Sequence, residues 1–339
     1  MSTVNDKGDH ARVLLAPRGD NLLMIIGAPR SGTTWIAKLF DSHPDVCYRH
    51  EPDTILRDSE LPVLCSSADF ERYRIRAQGY LESLAEVRTL KSAGSLPLFS
   101  KKYRTRSGNL QHALIVHGVR SLQAATRGSA WSKRMQIPDL FSPGSSPRLV
   151  VMKSVSARGR IGLFARAMPE CRIVFVIRHP CGQVNSTLRG IRSGRFERRI
   201  PFEEILQTSE AQEAGLSARE FHSLDVVEQC AWHWAILNQK AANDLAGLTR
   251  IRTVSYDEVC LRPREASREL LALAGLDWTE HTNAFVTRST TSKDSNRYYL
   301  ITRDSLAAAD KWRSQLAPDD QARILAIARR VPTGISFAV

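Results

Sequence analysis

No stretch of this sequence is apolar over the roughly 18 residues that a membrane-crossing helix needs. The opening residues, MSTVNDKGDHARVLLAPRGD, lack the apolar centre of a secretion signal. The six cysteines (Cys47, Cys65, Cys171, Cys181, Cys230 and Cys260) include no C-x-x-C pair, which excludes a zinc ribbon and a thioredoxin-type redox motif. His43, His117, His222 and His233 stand at no metal-ligand spacing with carboxylates or cysteines, so no metal is expected and they read as structural. There is no internal repeat and no low-complexity tract. These absences lead us to expect a reduced, soluble, cytoplasmic protein. Acids are also scarce, 35 against 48 lysines and arginines, a formal charge of +13 over 339 residues. That surplus favours anionic ligands, anionic polymers or a membrane surface without choosing among them.

What the chain does have is an ordinary globular composition, 42% hydrophobic and 24% charged, over enough length for one large α/β domain. The apolar run NLLMIIGA (21–28) suits a strand buried on both faces, and RLVVMKSV (148–155), RIVFVIRH (172–179) and IRTVSY (251–256) read as further strands. Each is followed by a segment of helical spacing: TWIAKLFDSH, capped by Thr33, then GRIGLFARAM, CGQVNSTLRGIRS and PREASRELLALAGL, with Pro263 at the start of the last. VVEQCAWHWAILNQKAANDLA (226–246) reads as one long buried helix. This alternation predicts a single α/β domain over 21–339, with a central parallel sheet flanked by helices and a P-loop-like nucleotide-binding architecture, behind a flexible leader, 1–20. Residues 53–147, broken by SAGS, SG and SPGSSP and carrying RYRIR and KKYRTR, read as a substrate-side insertion over the sheet's functional edge.

Chemistry concentrates at two places. In GAPRSGTTW, Gly27 and Gly32 keep the spacing of a phosphate-binding loop, but Thr33 stands where a nucleotide triphosphatase carries lysine. Backbone N–H groups of Ser31, Gly32 and Thr33, the hydroxyls of Thr33 and Thr34, and the guanidinium fork of Arg30 make this an anion site. Trp35, one turn in, is placed either in the core or beside a nucleotide base. In IRHPCGQVNSTLR, Arg178 ends a buried strand and Ser186 follows eight residues later.

GAPRSGTTW followed by RIVFVIRHPCGQVNSTLR resembles the two cofactor motifs of the sulfotransferases that use 3′-phosphoadenosine-5′-phosphosulfate (PAPS). The resemblance continues through DSHPDVCYRHEP, similar to carbohydrate-type bacterial and Golgi enzymes, and VSYDEVCLRPREASRELLALAGL, spanning about 21–278 with 53–147 unmatched. It implies that the loop grips the 5′-phosphosulfate, that Arg178 and Ser186 grip the 3′-phosphate, and that Tyr256 lies near the adenine.

The resemblance further implies that Arg30 and Lys153 offset charge on the leaving phosphate. Where cytosolic phenol and steroid enzymes place a histidine base, this chain has Val155, so Glu51 is the expected base, with His50 its rival. On a strand these neighbours would point oppositely, so only one would face the site. Alternatively, Glu51 would simply pair with Arg30. The implied acceptor is a carbohydrate, glycolipid or glycosylated small molecule. Lys293, Arg297 and Arg303, with Trp312 beyond, stand where the family's segment closes over PAPS, but the glycine-rich closing motif is absent, so they are not counted as site residues. Two competing functions are weaker. A kinase or NTPase lacks its G-K-[ST], and a nucleic-acid binder lacks aromatics interleaved with its basic residues.

Overall fold

A computed structural model describes residues 19–194, 203–291 and 305–332. The leader expected over 1–20 lies, but for its last two residues, outside them, as do Lys293, Arg297 and Arg303. Five parallel strands form one sheet in the order β2-β3-β1-β4-β5: β1 Leu22–Gly27, β2 Val46–His50, β3 Leu149–Ser154, β4 Arg172–Ile177 and β5 Ile251–Ser255. Four match the apolar runs. The fifth, β2, joins the edge through VCYRH, whose apolar run is too short to stand out in the sequence.

The central strand β1 is buried on both faces. Leu22, Met24 and Ile26 join the core cluster on one side and Leu23 and Ile25 that on the other, all at 0–1% exposure. Each such side chain contributes about 1.5–3 kcal/mol of transfer free energy. The first face is covered by the helices Ile161–Ala167, Pro180–Arg192 and Val226–Leu245, the second by Thr33–Asp41 and Pro263–Leu273. Val226–Leu245 starts at a capping box of Asp225 and Glu228 and buries Trp232 and Trp234 at 1% exposure.

Between Pro52 and Arg148, two helices of 16 and 20 residues, Phe70–Ala85 and Arg106–Ala125, occupy a region that the sequence shows only as broken apolar clusters. The first packs along Ile161–Ala167. Two buried ion pairs tie this segment to the sheet and to the Thr33–Asp41 helix. Nη2 of Arg49 in β2 donates to both carboxylate oxygens of Asp139, at 2.8 and 2.9 Å, and Lys101 meets Asp41 at 2.9 Å. The net effect brings the C-terminal ends of β1, β3 and β4 onto one edge, carrying Gly27, Lys153 with Ser154, and Arg178.

Candidate active site

The loop after β1 turns on two positive φ angles, 73° at Arg30 and 89° at Gly32. At Gly32 a side chain is excluded twice, by that angle and by the Tyr256 ring, which occupies the space a Cβ would need. A Cβ on Gly27 would meet Val176 O at 2.6 Å, so the loop also leaves the strand against β4. Gly32 is the N-cap of the Thr33–Asp41 helix. Thr33, expected to cap, is instead the first helical residue, because the left-handed turn at Gly32 already ends the loop. Trp35 N donates to the Gly32 carbonyl at 3.0 Å, whereas the Thr33 and Thr34 N–H groups before it have no intrahelical acceptor and stand at the positive end of the helix dipole.

Arg30 Nε donates to Ser186 Oγ at 2.9 Å, across 156 residues of sequence, and Arg178 Nη1 donates to the Arg30 carbonyl at 3.1 Å. The two motifs therefore form one cluster, with Arg30 of the loop joined to both Ser186 and Arg178. The Arg178 guanidinium lies over the Tyr256 ring, 5.2 Å from its centre, and packs against Gly182, where an added Cβ would sit 2.9 Å from Arg178 Nε. Trp35, half-buried, packs on Phe285 at 5.8 Å and donates to Ser289 Oγ at 2.9 Å. Ser31 is fully buried and donates to Ala28 O at 2.8 Å, which holds the turn.

A second cluster sits at the β2 and β3 ends. Glu51 leaves β2 with φ 46° and ψ 51°, a left-handed conformation that breaks the alternation of the strand. The expectation that only one of His50 and Glu51 faces the site is thereby corrected: His50 Nε2 lies 3.9 Å from Glu51 Oε1. Glu51 does not pair with Arg30. It accepts from Lys153 in a short ion pair and from Lys91 at 2.8 Å. Lys153, 2% exposed, is otherwise enclosed.

A profile of the sulfotransferase family matches residues 23–280. The chain belongs to the sulfotransferase family. No curated protein matches it. Among solved structures it is similar to the sulfotransferase domain of the Synechococcus PCC 7002 olefin synthase, with 15% identity, TM-score 0.45 and coverage of 95% of this chain and 98% of that one. A sulfotransferase from Alicyclobacillus acidocaldarius gives 16%, 0.36, 94% and 98%. One from Mycobacterium avium gives 16%, 0.42, 90% and 78%.

In this sulfotransferase the charge states at the Glu51 end follow from its contacts. Burial alone would raise the Glu51 carboxyl, but the Lys153 charge, the His50 ring and hydrogen bonds from Lys153 and Lys91 hold it down to about 2. Burial, aided by Lys153, pushes the His50 imidazole down to about 3, and its Nδ1 meets Tyr48 Oη at 2.7 Å. Burial also lowers Lys153, against the pull of Glu51.

Sequence reasoning missed several supports of the enzyme's site. Lys91 comes from a helical turn, Leu90–Ala93, inside the unmatched segment. Asp257 accepts the His179 N–H at 2.6 Å, and Trp234 donates to Arg178 O at 3.0 Å, so both backbone groups flanking the Arg178–His179 bond are fixed. The tyrosine-acid-acid motif carried the signal for Asp257; for Lys91 and Trp234 no local signal exists. Trp312 stacks on the His179 ring at 4.4 Å and 9°. All six cysteines are free and buried, and among the described residues no helix is long and apolar enough to cross a membrane.

Proposed function

We propose that the enzyme takes its sulfuryl group from PAPS and moves it to a hydroxyl or amine of a carbohydrate, glycolipid or glycosylated small molecule, in the manner of the carbohydrate-type branch. The observation that carries this reading is the contact of Arg30 with Ser186 and of Arg178 with the Arg30 carbonyl, which joins two anion motifs into one cradle. A donor with a 5′-phosphosulfate and a 3′-phosphate needs two such poles. Their donor set is planar guanidinium groups, hydroxyls and helix N–H groups. Arg178 and Ser186 hold the 3′-phosphate; Ser31, Gly32, Thr33 and Thr34 hold the phosphosulfate; Trp35 and Tyr256 flank the adenine.

In-line transfer breaks the bond from sulfur to the phosphate oxygen and forms one to the acceptor oxygen or nitrogen, whose proton passes to Glu51. Lys153, with Arg30 across the loop, offsets charge on the leaving phosphate. A carboxylate held near 2 is a weak base. Lys153 is shared, however: as it turns toward the leaving phosphate its hold on Glu51 weakens, and the carboxylate gains basicity as the proton arrives. His50 is already neutral and serves as the rival base.

Calorimetric titration with the desulfated product, 3′-phosphoadenosine 5′-phosphate, beside ATP and an Arg178→Ala variant tests this. Binding in the micromolar range that Arg178→Ala loses and ATP does not reproduce is the expected outcome. Failure of the wild-type protein to bind the product removes PAPS from the reading.

A further inference from the structure

Five residues beyond Lys153 lies a cation that the transfer chemistry leaves without a task. Arg158 opens a 3-10 turn, Arg158–Arg160, against the Val226–Leu245 helix, and is 3% exposed. On its other side the turn meets the 61–65 segment, where Cys65 N donates to Gly159 O at 2.8 Å. Arg158 Nη1 donates to Asn238 Oδ1 at 3.2 Å. Its Nε is buried without an acceptor, and so is Nδ2 of Asn238, itself 1% exposed. Because the Asn238 oxygen faces the guanidinium, the orientation of the amide is settled and its NH2 is a donor.

The pair thus offers two buried, unsatisfied donors and one positive charge. Among the described residues no carboxylate pairs with Arg158, and burial pushes its guanidinium down to about 10. The nearby His233 adds no charge, since burial and then Arg158 push its imidazole down to about 3. A buried charge left in this state costs several kcal/mol, and the group that removes the cost is an oxyanion.

Position connects this pair to the site. Asp53 accepts from the hydroxyls of Ser154 and Ser156, and Ser154 Oγ accepts from Ala157 N at 3.1 Å, which pins the Arg158 turn to the strand end carrying Lys153. One helical turn before Asn238, Trp234 bonds the carbonyl of Arg178. The pair is therefore anchored to both strand ends that bear the proposed chemistry.

We propose that Arg158 and Asn238 form an oxyanion subsite for a carboxylate, sulfate or phosphate carried by the acceptor, so that the enzyme selects acidic acceptors. This rests on the reading of the edge as a PAPS and acceptor site, and the test separates the two. Protein is saturated with 3′-phosphoadenosine 5′-phosphate, which fills the donor's phosphate positions, and inorganic sulfate is titrated in by calorimetry.

Sulfate is expected to bind, and Asn238→Asp, which hands Arg158 an internal carboxylate and preserves the fold, is expected to weaken it by about tenfold or more. Arg158→Leu does the same, while affinity for the adenosine bisphosphate stays within about twofold. Absence of sulfate binding to the saturated wild-type protein, or equal binding by the wild type and Asn238→Asp, overturns the subsite. If the bisphosphate itself does not bind, the donor reading falls, and the wild-type and Asn238→Asp titrations without it still decide the subsite. A methyl glucuronide that displaces sulfate, where the matching glucoside does not, places the oxyanion on the acceptor. Sulfate that neither sugar displaces makes this a free-anion site and overturns the acceptor assignment.

Discussion

The two ends of the site are held by different means. At the loop end, positions come from the backbone: the turn at Gly32, the Tyr256 ring filling its missing side chain, and a carbonyl of Arg30 receiving Arg178. At the Glu51 end, positions come from charge, one carboxylate between Lys153 and Lys91 with a neutral imidazole beside it. If the loop end holds phosphates as proposed, it gains from rigidity, because such a ligand arrives with fixed charge and shape. If Glu51 takes the acceptor's proton as proposed, its end gains from partners that can be exchanged, because its own charge must change during the reaction.

The sharpest way to break this comparison is Glu51→Gln. It is expected to lower kcat by about 10²–10⁴-fold and, by leaving Lys153 buried without its carboxylate, to cost about 3 kcal/mol. Steady-state kinetics and urea unfolding measure the two losses. If kcat falls by less than about tenfold, His50 takes the role of base.

Gly32→Ala tests the other end. A Cβ there conflicts with the 89° φ angle and the Tyr256 ring, so a loss of about 1–3 kcal/mol in stability and about 100-fold in affinity for the adenosine bisphosphate is expected. Affinity retained within a few fold would show the loop to be softer than its geometry implies.

Acid separates the ends without mutation. His50 titrates near 3 in the folded enzyme against an ordinary 6.5, and Glu51 near 2 against 4.5. The unfolded chain binds the extra protons as pH falls. The stability tied to His50 is thus complete above 6.5 and lost between 6.5 and 3, and that tied to Glu51 is complete above 4.5 and lost as pH falls through 2. Urea midpoints from pH 7 down to pH 4 are expected to decline, and His50→Asn is expected to flatten the upper part of that decline.

The smallest effect is expected from Lys91→Ala. Lys91 is half exposed, so its ion pair with Glu51 is worth less than about 1 kcal/mol. The variant's value lies in its pH profile, where a weaker hold on Glu51 moves the acid limb of kcat upward. An unmoved limb would detach Lys91 from the chemistry.

Which features the sequence disclosed follows the same division. Strands β1, β3 and β4 announce themselves because runs such as LLMIIG form one structure when buried on both faces, while β5, an edge strand of half-buried and exposed residues, shows through the alternation of IRTVS. Strand β2 does not, since VCYRH is buried with a charged side chain in it, Arg49, whose charge is matched by Asp139 from a distant segment. The helix Arg106–Ala125 hides because only Gly108, His112, Val116 and Val119 are buried along it, too sparse a stripe to register. That Arg30, Arg178, Ser186 and Tyr256 come together was legible because a backbone-held turn leaves a mark in local spacing. At the Glu51 end the residue types were legible but their relations were not. The left-handed turn at Glu51 and the arrival of Lys91 from the unmatched segment depend on tertiary contacts that no short motif encodes.

The stacking of Trp312 on His179 bears on where this protein can be cut. The family match stops at residue 280, and a fragment ended there would look complete by sequence. It would lack Trp312, and also Gln315, whose Oε1 accepts from Asn185 Nδ2 beside Ser186 at 3.0 Å. The residue after Arg178 and the one before Ser186 would each lose a wall. The contacts that wall the cradle thus reach at least 35 residues past the end of the family match (315 minus 280).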